Sequence, residues 1–186
     1  MLLADELEDS RVLAGTLGCS NCRERYPVEK GFVDLRSPPR QDWRAPEMEE
    51  AVPSDAVTLG ALLGVTKGPG EVALLGLLAE HGHDLAALVP GIEVVCIDGR
   101  AREAVEEPGV SRLAAGRNLP FFSGVMRGVA LVAAEEPGFF SEPMRILARG
   151  GRLVVLGAED GMGEELAQLG FQTVLQERGT VVARRP

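Results

Sequence analysis

From Thr58 to Arg184, short apolar runs alternate with amphipathic or turn-rich stretches, and this alternation narrows what the 186-residue chain folds into more than any other feature. A run that is apolar at every position needs cover on both faces, which a parallel sheet wrapped in helices supplies. The pattern predicts a central strand at Leu59–Thr66, a turn at Lys67-Gly68-Pro69-Gly70 and a helix over Glu71–Glu80 closed near Gly82. A second strand, Ile92–Ile97, runs into Asp98, with Cys96 filling space inside it. Beyond it the reading is a short helix at Arg102–Glu107, strands at Val110–Ala114 and Val129–Ala134, and a helix over Phe139–Arg149 broken by Gly150-Gly151. A buried strand at Arg152–Leu156, a helix at Glu164–Leu169 and a hairpin of Phe171–Gln176 with Thr180–Arg184 complete an α/β domain spanning residues 58–186.

The first 36 residues differ. They hold β-like pieces, Arg11-Val12-Leu13 and Gly31–Leu35, around a turn-rich centre from Gly18 to Pro27. A segment this short cannot fold on apolar burial alone, because chains below about 40 residues usually need a metal, a disulfide or a partner. Residues 37–57 carry four prolines and no sustained period, so they read as a linker in which Trp43 could anchor on a flanking domain.

Charge excludes some functions. The net charge is −9, and each segment is negative on its own: −2 over 1–36, −3 over 37–57 and −4 over 58–186. No segment has the basic surface that draws in a phosphate backbone, so direct nucleic-acid binding is not expected. The acidic start has neither a positive n-region nor an apolar h-region, and no apolar run reaches membrane-spanning length, so the expected location is the cytoplasm. Three cysteines is an odd number, and Cys19-Ser-Asn-Cys22 suits metal or redox chemistry better than a disulfide framework.

Two constellations could carry chemistry. A strand entering a glycine-rich turn and then a helix presents backbone N–H groups to an anion, which gives Gly68 and Gly70 a ligand role; the pair is equally consistent with a plain tight turn. In open α/β sheets ligands sit at the carboxyl ends of the strands, so Asp98 could accept hydrogen bonds from ribose hydroxyls, with Gly99 permitting close approach. Together these point to a nucleoside. The Cys19/Cys22 pair could hold a metal, while a disulfide or free dithiol is the plain alternative. His81 and His83 could add nitrogen ligands, or simply complement a helix end.

Over residues 58–186 the chain resembles the class I S-adenosylmethionine-dependent methyltransferases. The resemblance is carried by Leu119-Pro-Phe121, by Phe140–Leu156 with its Gly-Gly turn, by Leu169-Gly-Phe-Gln-Thr-Val174 and by Thr180-Val-Val-Ala-Arg-Arg185. It implies a Rossmann-like methyltransferase-type sheet that binds S-adenosylmethionine through Gly68, Gly70, Asp98 and Gly99. The departures from the family pattern fall on the ligand side: Gly64 and Thr66 in the first motif, Gly116-Arg117-Asn118 where an acidic residue usually meets the adenine, and Met126-Arg127 before the fourth strand. An arginine cannot accept the adenine hydrogen bond.

Gly18-Cys-Ser-Asn-Cys22 with Tyr26–Leu35 is similar to the second half of the small zinc-binding activators of transfer-RNA and protein methyltransferases. That similarity implies a zinc-ribbon-like module of residues 1–36 with Cys19 and Cys22 as zinc ligands. The other knuckle would be expected before Leu2, or supplied by a second chain, or lost. The expected function is a methyltransferase-like protein with a degenerate cofactor motif, acting as a binding or regulatory subunit, as a homodimer or with a protein partner. The alternatives are an active methyltransferase and a dimeric scaffold sharing a metal through Cys19 and Cys22.

Overall fold

The computed structural model describes residues 1–8, 11–20, 23–37, 55–133 and 140–186. Trp43, Cys22 and Phe139 lie outside them. The strands are β1 (Leu2–Glu8), β2 (Arg11–Gly18), β3 (Arg25–Glu29), β4 (Phe32–Asp34), β5 (Glu71–Leu75), β6 (Glu93–Ile97), β7 (Val110–Ala114), β8 (Met126–Val132), β9 (Leu147–Leu156), β10 (Gln172–Glu177) and β11 (Thr180–Arg184). The α-helices are α1 (Ala56–Leu63), α2 (Gly82–Leu88), α3 (Ser141–Ile146) and α4 (Met162–Gln168), joined by 3₁₀ helices at Gly76–His81 and Gly99–Glu103.

All the strands belong to one sheet, in the order β1-β2-β3-β4-β7-β6-β5-β8-β9-β11-β10. The run from β4 to β9 is parallel, and β11 returns antiparallel beside β9. Two apolar layers cover the sheet. One contains Leu59, Leu63, Leu74, Leu85 and Val94 beneath α1 and α2; the other contains Leu131, Ile146, Leu153, Leu166 and Phe171 beneath α3 and α4.

The α/β character and the closing hairpin match the expectation, but the start of the domain is shifted by one element. Leu59–Thr66 is not the first strand: Ala56–Leu63 is helical. Asp55 caps this helix by accepting the Thr58 N–H at 2.8 Å, and Gly64 ends it in the left-handed region at φ 69°. Glu71–Glu80 is not a helix either. Val72, Ala73, Leu74 and Leu75 form the central strand β5, between β6 and β8 and buried on both faces. A continuous apolar run has no period to separate strand from helix, and here sheet pairing on both sides decides. The helix expected over Phe139–Arg149 is only Ser141–Ile146, because the chain enters β9 at Leu147. The short helix expected at Arg102–Glu107 is the 3₁₀ helix Gly99–Glu103.

The N-terminal strands join this sheet. β1 to β4 form an antiparallel meander, and β4 pairs in parallel with β7 through Phe32↔Arg112, Val33↔Leu113 and Asp34↔Ala114. Arginines fasten the joint. Arg112, 4% exposed, donates to the carbonyls of Ala101, Ala104 and Lys30. Arg11 donates to Val110 O at 2.5 Å and pairs with Glu106, while the Arg102 guanidinium lies 5.2 Å from the Phe32 ring centroid. The cohesion missing from so short a segment comes from the neighbouring sheet edge.

Candidate functional site

In the parallel run the carboxyl ends of β5 and β6 stand side by side, Leu75 opposite Ile97. Gly76 follows the first and Asp98 the second, so these two residues flank the crevice where ligands of open α/β sheets bind. A cavity of about 310 Å³ opens there, lined among others by Gly76, Leu77, Glu80, His83, Asp98 and Arg100. The turn after β5 winds at once into the 3₁₀ helix, and Leu78 drives into the core at 2% exposure.

Asp98 is engaged from within. Its Oδ1 accepts the Arg100 backbone N–H at 2.6 Å and Nε at 2.9 Å, and its Oδ2 accepts Nη2 at 2.6 Å. The Asp98 side chain is 1% exposed, while the Arg100 side chain above it is 37% exposed. The same clasp closes β4, where Arg36 binds Asp34 with Nε to Oδ1 at 2.9 Å and Nη2 to Oδ2 at 2.7 Å. Asp-x-Arg after a parallel strand is thus a repeated local device in this chain: the aspartate caps the turn and the arginine two residues on forks onto it. The Asp98 carboxylate thus lies beneath the protein's own guanidinium.

Gly99, at the start of the 3₁₀ helix, stays beside Asp98. Gly68 and Gly70 do not. Both precede β5, whereas Asp98 follows β6, so a strand length of about 16 Å separates the two ends. Gly68 is needed for backbone contact: a methyl group there would collide with the Gly91 carbonyl, and the Gly68 N–H donates to Pro90 O at 2.8 Å. Gly70, at φ +131°, lies against the Arg127 stem. The expected glycine cradle is therefore a tight junction on the far side of the sheet. Sequence reasoning missed Gly76, although the N-cap at Asp55 and the C-terminal glycine at Gly64 bracket a helix that pushes the first strand to Glu71.

The Leu119-Pro120-Phe121 stretch is tied to α3. Glu142 accepts the Leu119 N–H at 2.8 Å, and Arg145 donates to Leu119 O at 2.9 Å and Phe121 O at 2.8 Å. The hydrogen bond from Arg145, helped by the Leu119 amide, holds the Glu142 carboxyl below the usual glutamate range. Burial pushes the Cys96 thiol up to about 12, so it is a protonated core group.

Cys19 is half-buried in a tight turn, its N–H donating to Glu24 O and its carbonyl accepting from Arg23 N, each at 3.0 Å. Its expected partner Cys22 is outside the described residues. Among the described residues no three His, Cys, Asp or Glu side chains gather as a metal site. His81 ends the first 3₁₀ helix, and His83 pairs with Glu107 at the cavity rim. Among the described residues no helix is long and apolar enough to cross a membrane.

Solved structures share this architecture. The 1,6-didemethyltoxoflavin-N1-methyltransferase of Burkholderia thailandensis, solved with 1,6-didemethyltoxoflavin and S-adenosylhomocysteine, is similar over 70% of this chain and 76% of its own, at 15% identity and a TM-score of 0.53. A predicted O-methyltransferase of Agrobacterium tumefaciens, Atu636, matches over 70% and 80% of the two chains, at 20% identity and a TM-score of 0.50. The fold is methyltransferase-like. The [4+2]-cyclase SpnF is also similar, over 70% of this chain and 64% of its own, at 16% identity and a TM-score of 0.51. One scaffold thus carries more than one reaction name, and likeness at these identities speaks for the fold alone. No protein-family model matches the chain, and no curated protein matches it in sequence.

Proposed function

We propose that this chain is a methyltransferase-like protein whose nucleoside crevice is closed by its own Arg100, and that it serves as a binding or regulatory subunit. The observation that carries this reading is the Asp98 carboxylate, 1% exposed and forked by Arg100. A ribose has to displace a charge-assisted bidentate pair before it reaches that carboxylate. A second copy or another protein is the partner of such a subunit, and the exposed Leu2, Leu3 and Leu7 of the edge strand β1 support this.

The active-methyltransferase reading keeps one observation in its favour: Gly76, Asp98 and Gly99 do meet at a cavity at the carboxyl ends of the central strands. Calorimetric titration of S-adenosylmethionine separates the two. For the closed crevice, the intact chain shows no saturation up to about 1 mM, and Arg100→Ala, which uncovers Asp98, gains measurable affinity. Micromolar binding by the intact chain that is lost in Asp98→Ala overturns the proposal in favour of the enzyme.

A further inference from the structure

A second cavity, of about 440 Å³, lies at the opposite end of the sheet, and four arginines line it: Arg127, Arg149, Arg152 and Arg184. No carboxylate lines it, and none of the four makes an ion pair among the described residues. In a chain of net charge −9 this concentration of uncompensated positive charge is a local exception.

The backbone brings the four together. Arg152 on β9 and Arg184 on β11 are direct partners across the antiparallel ladder, so their side chains leave the same face. Like charges directly opposite each other destabilise a sheet. The bend at Gly150, φ +78°, turns β9 so that Arg149 lines the same cavity as Arg152. Two of the guanidiniums are already positioned. Arg127 Nη1 donates to Lys67 O and Pro69 O, both at 2.8 Å, and Arg152 Nη1 donates to Leu62 O at 3.2 Å at the carbonyl end of α1. Arg152 lies against Gly64 and Arg127 against Gly70, where a Cβ would strike each guanidinium or its stem. The other two, Arg149 and Arg184, are exposed, and their side chains make no hydrogen bond or ion pair among the described residues.

We infer that this cavity is a binding site for a small anion with clustered charge, of the diphosphate class, held by Arg149 and Arg184 against the prepositioned Arg127 and Arg152. The planar fork of arginine matches phosphate oxygens two at a time, and a bound diphosphate would neutralise the opposed pair on β9 and β11. The volume suits a small ligand. A long polyanion is disfavoured, because the basic charge is confined to one cavity of a strongly acidic molecule.

The test is calorimetric and thermal-shift titration of the full chain with inorganic pyrophosphate, with citrate as a carboxylate control. Saturable binding of pyrophosphate, with a rising melting temperature, is expected, and the Arg149→Gln/Arg184→Gln variant should weaken it at least tenfold. In anion-free buffer Arg184→Gln alone should melt higher than the natural chain, because one member of the like-charge pair is gone. Absence of saturable pyrophosphate binding, an unaffected affinity in the double variant, or citrate binding as tightly as pyrophosphate would each overturn the assignment. S-adenosylmethionine plays no part in this readout, so the two proposals stand or fall separately.

Discussion

Arg100 folds back two residues to lie on Asp98, with its Nε 2.9 Å from Oδ1 and its Nη2 2.6 Å from Oδ2. The aspartate that follows β6 is thereby the cap of a 3₁₀ helix and the anchor of an arginine.

Removing that anchor should cost stability whatever the ligand. Asp98→Ala deprives the Arg100 N–H and guanidinium of their acceptor, and a loss of about 1–3 kcal/mol is expected from the cap and the charged hydrogen bonds. Urea denaturation measures it. A variant as stable as the natural chain would show that the pair does no structural work, and the repeat of the clasp at Asp34 and Arg36 would then lack a reason.

Gly68 separates a packing role from a ligand role. An added methyl group meets the Gly91 carbonyl, which is backbone and cannot turn aside, so Gly68→Ala should lower stability by ~2 kcal/mol or more. In the Arg100→Ala background, where S-adenosylmethionine binding is expected, the affinity of the folded fraction should not change, since Gly68 lies at the amino end of β5. A thermal melt with a parallel titration checks both, and a selective loss of affinity at unchanged stability would return Gly68 to the ligand site.

The N-terminal meander should hold without metal. Arg112 satisfies three carbonyls across the joint, two on the 3₁₀ turn after β6 and one on the β3–β4 turn, while β4 pairs with β7. Chelator should therefore leave the melting temperature unchanged. Arg112→Leu, which strands those carbonyls, should cost about 3 kcal/mol and expose β1 to β4 to limited proteolysis. A large drop in melting temperature on adding chelator, reversed by zinc, would restore the zinc-ribbon expectation for Cys19 and Cys22.

Glu142 supplies a pH signature. Its folded pKa is depressed by Arg145, so its contribution is fully present above the unfolded glutamate value, about 4.3, and is lost as the pH falls through the folded value. The stability gap between the natural chain and Glu142→Gln should thus be constant from neutral pH to about pH 5 and close on further acidification. Circular-dichroism melts from neutral pH into the acid range read the gap, and one that does not narrow on acidification contradicts the assignment.

Much of the architecture was legible in the residues. Glu93–Ile97 and Val110–Ala114 are apolar enough to be buried strands, and Glu177-Arg178-Gly179 is a turn between two alternating runs, so these elements fall where the pattern puts them. Asp98 at a strand end was legible for the same reason. The first strand was not, because Leu59–Val65 and Val72–Leu78 are both nearly continuous apolar runs, and only their caps and neighbours tell helix from strand. That single exchange moved the candidate glycines from one end of the sheet to the other.

By itself the sequence determined the class of the fold, the acidic surface and the stretches able to be buried on both sides, because hydrophobic pattern and charge are properties of local composition. Tertiary structure alone decided the rest: which run became the central strand, that β4 continues the sheet past β7, and that Arg152 and Arg184 face each other. Each of these depends on which distant segments come into register. Register is set by sheet pairing and side-chain packing summed over the whole molecule, and no local window of residues contains that sum.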